Sequence, residues 1–368
     1  MLRKYPFYFK STVILFGITL FVYAIANLKE ILIPIAFSLM LAILLNPLCN
    51  WFLKKKLPRV LSIAFSLIIA LLFIAGIAYF LSSQIGSLSS ELPVLKQKLA
   101  ALFAQLQTAM DQKLNIDIEK QNEWISSAGT GMQPFIGRTL GTVVGSLAFL
   151  FLLPVYTFLF LFYKTLVLNF FYEVFAERNS KEVGEILTAT KKSIQSYVVG
   201  LLLEALIVAI LNAVALLILG VKYAILLGLL GAIFNVLPYI GGIIAIALPL
   251  LIATITKDGF HTQLLIIIAY IIIQFIDNHF LIPYIVSSKV KINALISIIM
   301  ILLAGAVWGI SGMFLSIPFT GVLKIIFDRI PELRPWGKLL GDEIPTRHKG
   351  EIWSVRRRKK SLSEKIVS

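Results

Sequence analysis

The sequence predicts an all-α polytopic membrane protein, and three observations carry that prediction. Of its 368 residues, 58 % are hydrophobic and only 14 % are charged, whereas a soluble globular chain is about 45–50 % apolar and about 25 % charged. The apolar residues gather into runs long enough for the ~20 residues of a helical span. The basic residues, which set a net charge of +15, flank those runs, as cytoplasmic loops do. Topology accounts for the charge without a nucleic-acid partner. The same composition excludes disorder over most of the length. The one cysteine, Cys49, cannot form an internal disulfide and reads as a small core hydrophobe. Three histidines, with no CxxC or HExxH pattern, give no reason to expect a metal site.

Residues 1–82 read as three spans. A basic start (Arg3, Lys4, Lys10) before the run Ser11–Asn27 resembles a signal peptide. A second span begins almost at once, so the run is taken as an uncleaved first span. The second run, Ile31 to Leu53, ends in Lys54, Lys55, Lys56 and Arg59, which marks the cytoplasmic side. Pro34 and Pro47 inside it predict a kink. The third run, Val60 to Ser82, crosses outward. Residues 83–139 balance five basic against five acidic residues and read as an extracytoplasmic helical segment. Leu88, Leu92, Leu95, Leu99, Leu102 and Leu106 recur there at alternating spacings of four and three, a coiled-coil stripe. Such a stripe buries against its own membrane domain or in a homo-oligomer contact. Residues 140–163 form the fourth span. Residues 164–196, of mixed charge, read as a cytoplasmic amphipathic linker lying against bilayer or core.

Residues 197–328 read as a core of two similar units. In the first, Tyr197–Val221 spans, and Tyr223–Thr256 leaves and returns on one face, broken at Asn235-Val236-Leu237-Pro238-Tyr239-Ile240-Gly241-Gly242. In the second, Thr262–Tyr284 spans, and Ile292–Phe327 returns on the cytoplasmic face, broken around Trp308, Gly309 and Gly312. Tyr197 precedes Glu204 by the same seven residues that separate Tyr270 from Asp277. Same order with inverted orientation is an inverted repeat, and inverted repeats with broken helices are the mark of secondary transporters. The count comes to about eight membrane helices including the two broken hairpins. Residues 329–368 are a basic cytoplasmic tail.

Function is expected where polar side chains interrupt these apolar runs. A carboxyl group such as Glu204 or Asp277 costs about 2.5–3.5 kcal/mol at the centre of a span, so it faces a polar interior, a proton or an ion. A helix-pairing or snorkelling carboxylate is the structural alternative for Glu204. Gln274, Asp277, Asn278 and His279 form a polar knot, serving either a solute or ion or merely the closing of the span before Pro283. Asn235 and Tyr239 can bind backbone groups freed by Pro238, Gly241 and Gly242, or a polar solute. Trp308, Gly309 and Gly312 are the matching break residues. No GxSxG or P-loop motif occurs, so neither an enzyme nor a nucleotide-driven pump is expected, and no cofactor.

The Asn235–Gly242 segment, Asp277-Asn278 with Pro283, and Trp308-Gly309 through Gly312 to Pro318 resemble the autoinducer-2 exporter (AI-2E) family of PerM-like permeases. The resemblance covers essentially the whole chain. It implies a multi-pass protein of the bacterial inner membrane with both termini cytoplasmic. Some members are described as exporters of autoinducer-2, a quorum-sensing signal, and others as sodium(lithium)/proton antiporters. The expected partners are therefore the lipid bilayer, a small polar solute, a coupling proton or sodium ion, and other copies of the chain. The leading expectation is export of a small polar solute; antiport and a non-transporting oligomeric scaffold are the alternatives.

Overall fold

The computed structural model describes residues 6–114, 149–236, 241–257, 259–286 and 291–343. Apart from an isolated bridge between Ile292 and Gly341, the described secondary structure is helical. In order these are α1 (Phe7–Asn27), α2 (Lys29–Lys54), α3 (Arg59–Leu114) and α4 (Phe149–Phe162). They are followed by α5 (Lys164–Ile218), α6 (Ala224–Asn235), α7 (Gly241–Thr256) and α8 (His261–Ile276). A π-helical segment, Asp277–Val286, continues α8 before α9 (Ala294–Arg329) and α10 (Arg334–Leu340). By length and composition alone six helices are long and apolar enough to cross a membrane, α9 among them although it turns at Gly309, and a seventh span forms if α4 and the start of α5, bent by 61°, are taken together. The protein is an all-α polytopic membrane protein. At 12 and 16 residues, α6 and α7 are shorter than a full span.

Two helices outrun the bilayer. The backbone of α3 continues from the third apolar run through the leucine stripe as one helix of 56 residues, with Pro93 inside it. The stripe's side chains, and all of residues 115–148, lie outside the described residues. At about 1.5 Å per residue, the 55 residues of α5 reach about 80 Å, so the charged stretch after Lys164 and the following span are one rod. Its charged end is tied to the end of α9 by an ion pair between Glu185 and Arg329.

Small residues and hydroxyls let the first helices approach closely, as is usual where lipid removes any hydrophobic drive for association. Ala42, Leu45 and Cys49 of α2 pack with Ile63 and Leu67 of α3 and Leu161 of α4. The Ser38 hydroxyl donates to Leu153 O at 3.0 Å, and Lys164 Nζ donates to Asn46 Oδ1 at 2.9 Å. A second core joins Leu216 of α5, Leu227 of α6, Ala253 of α7, and Ile266 and Tyr270 of α8. Ala36, Met40, Ile194 and Leu315 connect the two.

At both predicted breaks the described flanking residues come back against each other. A Cβ at Gly241 would stand 2.0 Å from Phe234 O, and one at Gly312 would stand 2.0 Å from Ala304 O. In each hairpin, therefore, the arms approach closer than any side chain permits. In α9 the turn is made at Gly309, whose φ of 60° and ψ of −141° suit glycine alone. Trp308 beside it donates its indole N–H to Ile25 O at 3.0 Å. That carbonyl belongs to the last turn of α1, where no intrahelical donor exists.

The two ends of the second hairpin are clasped by Asn293. Its Oδ1 caps α9 by accepting from Ile296 N–H at 2.9 Å, and its Nδ2 donates to Leu339 O and Gly341 O at 2.7 and 2.9 Å. We expect Asn293→Ala to cost about 1–2 kcal/mol, read as a lowered Tm in detergent. An unchanged Tm would show that the clasp contributes nothing.

Candidate functional site

The polar side chains of the core lie on the inward faces of helices whose outer faces are aliphatic. On α5 the buried residues Tyr197, Glu204, Val208 and Asn212 follow spacings of seven, four and four, one helical face. Leu202, Leu203, Leu206 and Ile210 face outward. On α8, Gln263, Ile266, Tyr270 and Ile273 are buried, and Asp277 continues that face into the π-helical segment. Pro283 lacks the N–H that would return to the preceding turn, in keeping with the wider π geometry there. Such turns recur at functional sites.

Three elements meet at one amide. Asn235, the last residue of α6, donates from Nδ2 to Glu204 Oε1 at 3.1 Å and to Asp277 Oδ2 at 2.8 Å. An amide nitrogen carries two hydrogens, and each satisfies one carboxyl group. Glu204 is 2 % exposed and Asp277 1 %. Among the described residues no lysine, arginine or histidine pairs with either group. Two bare negative charges here would cost several kcal/mol each. The ends of α-helices add to this, because the C-terminal end of α6, where Asn235 sits, carries a partial negative charge. The arrangement is balanced electrostatically when the pair holds a proton or takes up a cation.

The other residues singled out from sequence are placed as follows. Gln274 packs against the first hairpin, where a Cβ at Gly242 would stand 2.7 Å from Gln274 Oε1. Asn278 and His279 are exposed and lie away from the cluster. The His279 ring stacks on Phe275 at 4.3 Å, with Nδ1 3.0 Å from Phe275 O. Pro238 and Tyr239 lie outside the described residues. Glu204, Asn235, Gln274 and Asp277 are thus brought together, and Asn278 and His279 are not.

The family model for AI-2E family transporters matches residues 11–332. The chain belongs to the AI-2E transporter family. Curated relatives agree over most of their length. YrrI of Bacillus subtilis (strain 168), named a transport protein, is 27 % identical over 321 residues, covering 83 % of this chain and 88 % of the relative. The AI-2 transport protein TqsA of Escherichia coli (strain K12) is 24 % identical over 316 residues, 85 % and 90 % of the two chains. PerM of the same strain, named a permease, is 29 % identical over 198 residues, 53 % and 56 %.

In this AI-2E transporter two further residues join the site that sequence reasoning did not select. Asn212 and Tyr270 line a cavity of about 10 Å³ together with Gly231, Asn235, Gln274 and Asp277. Asn212 lies eight residues after Glu204 and Tyr270 seven before Asp277, so helical spacing alone places each on its carboxylate's face. A larger cavity of about 360 Å³ opens further along α5, where Thr188, Lys191, Lys192, Gln195, Ser196 and Val199 line it. It therefore begins on the helix that carries Glu204.

Proposed function

We propose that this AI-2E transporter is a secondary transporter of the bacterial inner membrane that exports a small polar solute, coupled to a proton or monovalent cation taken up by the Glu204–Asp277 pair. The observation that carries the reading is the single hairpin amide shared by two buried carboxyl groups. If the hairpin bearing Asn235 shifts, both groups lose their donor together. A proton or cation then compensates for the lost hydrogen bonds, which ties charge uptake to hairpin position.

The repeat read from the sequence, if its two units are equivalent, fits this reading. Asn235 lies 31 residues after Glu204, and Trp308 lies 31 residues after Asp277. Each is a hairpin residue whose side-chain nitrogen donates to another element: Asn235 to the carboxylates, Trp308 to Ile25 O. In that repeat the two carboxyl groups that share the Asn235 amide take corresponding positions. The cleft lined by Lys191 and Lys192 offers a polar solute access from the cytoplasmic end of α5, about 20 Å from Glu204 at 1.5 Å per residue. The name of TqsA makes autoinducer-2 the first solute to test. The same all-oxygen pair suits exchange of sodium or lithium for protons, which is the second reading.

Purified protein in proteoliposomes tests both, with imposed proton or sodium gradients and a panel of small polar solutes that includes autoinducer-2. Glu204→Gln and Asp277→Asn keep size and hydrogen bonding but remove the ionisable group. Each is expected to lower gradient-driven flux by about tenfold or more, equivalent to about 1.4 kcal/mol or more in the transport barrier. Sodium-driven proton movement without any solute selects the antiport reading. Full flux in both variants rejects coupling through this pair.

A further inference from the structure

Five buried side-chain atoms in the described residues lack a hydrogen-bond partner, and three of them, Asn212 Oδ1, Tyr270 Oη and Asp277 Oδ1, belong to residues lining the cavity of about 10 Å³. Leaving such groups unmet costs about 1–3 kcal/mol each, and a protein rarely tolerates three in one place. That volume matches a single water molecule, which needs roughly 10–15 Å³ and typically makes about three hydrogen bonds. The chemistry matches as well. The amide and carboxylate oxygens accept, and the phenol hydroxyl donates. A water donates two hydrogens and accepts at least one, so one molecule satisfies all three.

We infer that the cavity is a binding site for one water molecule, held by Asn212, Tyr270 and Asp277. Asn235 then fixes one oxygen of Asp277 and the water fixes the other, so the carboxyl group is held at both ends. Asn212 and Tyr270 are positioning residues acting through this water. Their effect on transport rests on the proposed coupling role of Asp277; occupancy of the site does not. Gly231 makes the room, because a Cβ there would stand 3.0 Å from Asn212 Nδ2, 3.5 Å from Ala245 Cβ and 3.6 Å from Tyr270 Oη. An alanine fills the space the water needs, and it is a better helix former than glycine at this position inside α6.

The test uses the full chain in lipid nanodiscs. Infrared difference spectra of the parent and the variants are compared in ordinary and oxygen-18 water, since water O–H stretches shift with the isotope and the protein's phenol and amide stretches do not. The parent protein is expected to show a bound-water band that Gly231→Ala loses and Tyr270→Phe shifts. A high-resolution density map is expected to place the guest about 2.8 Å from its partners. A band unchanged in both variants overturns the site. So does a sodium-dependent density at roughly 2.3–2.6 Å, the distance of a hard cation. In flux assays, Gly231→Ala and Tyr270→Phe are expected to reduce coupled transport about threefold to tenfold, or about 0.7–1.4 kcal/mol. Unchanged flux with a lost band overturns the positioning role. Should Asp277→Asn leave flux intact, the coupling reading fails, while the isotope band still decides the water. If Gly231→Ala does not fold, the band shift in Tyr270→Phe carries the test.

Discussion

Asn235→Leu is expected to silence coupled transport and to destabilise the protein by about 2–6 kcal/mol, at about 1–3 kcal/mol for each of the two buried carboxyl oxygens left without its donor. Leucine has the same number and branching of side-chain heavy atoms as asparagine, so the branched shape is kept while Glu204 Oε1 and Asp277 Oδ2 lose their common donor. Asn235→Asp is expected to be at least as damaging, because it sets a third carboxyl group beside two others. Two comparisons isolate the cause. Asn278→Leu, at an exposed position, stays within about 0.5 kcal/mol of the parent. Adding Glu204→Gln and Asp277→Asn to Asn235→Leu restores most of the stability, since neutral amides tolerate a lost donor better, but does not restore flux. Thermal unfolding in detergent and proteoliposome flux read the two effects separately. If the single Asn235→Leu variant transports normally, the amide is not the link between hairpin and carboxylates.

The second large effect lies in the hairpin turns. Gly241→Ala and Gly312→Ala each place a methyl 2.0 Å from a backbone carbonyl oxygen. No rotamer relieves that contact, because an alanine Cβ has none and a backbone oxygen moves only with its helix. The arms must separate, which loosens the packing around Asn235 in the first hairpin and around Trp308 in the second. The expected cost is about 3 kcal/mol or more, at the upper end of what overpacking causes. It is seen as a fall in monodisperse protein on size-exclusion chromatography after heating. A Cβ added at Gly17, Gly76 or Gly86 would meet nothing within 4 Å, so alanine there is expected to be neutral or mildly stabilising through helix propensity. Equal behaviour of the two sets would remove close approach as the reason for the glycines.

Much of the framework was legible because the membrane enforces a simple code. Runs without charge become helices, since lipid offers the backbone no other hydrogen-bond partner. The breaks were legible because Gly309 and the Gly241-Gly242 pair stand in otherwise unbroken apolar runs. The candidate carboxylates were legible because a carboxyl group is costly inside an apolar run. Less was readable in the polar knot. Asp277, Asn278 and His279 are adjacent in sequence, and adjacency says nothing about facing; the helix turns Asp277 inward and the other two outward. A tyrosine in an aliphatic run, as at Tyr270, looks like packing, and only its unmet hydroxyl shows otherwise. The leucine stripe and the linker each proved to be parts of long continuous helices, α3 and α5. Charge content shifts along those stretches, yet each helix continues, α3 even through Pro93.

By itself, the sequence determined that this chain is helical, that it crosses a membrane repeatedly, where its helices break, and which acids interrupt its apolar runs. Each follows from local chemistry: hydropathy, backbone hydrogen bonding, and the special φ of glycine. Only the tertiary structure decided that Glu204 and Asp277 meet, that one amide of Asn235 serves both, and that Asn212 and Tyr270 complete the site. Those are contacts across 31 and 42 residues and more, set by how three helices pack, and no spacing rule reaches that far.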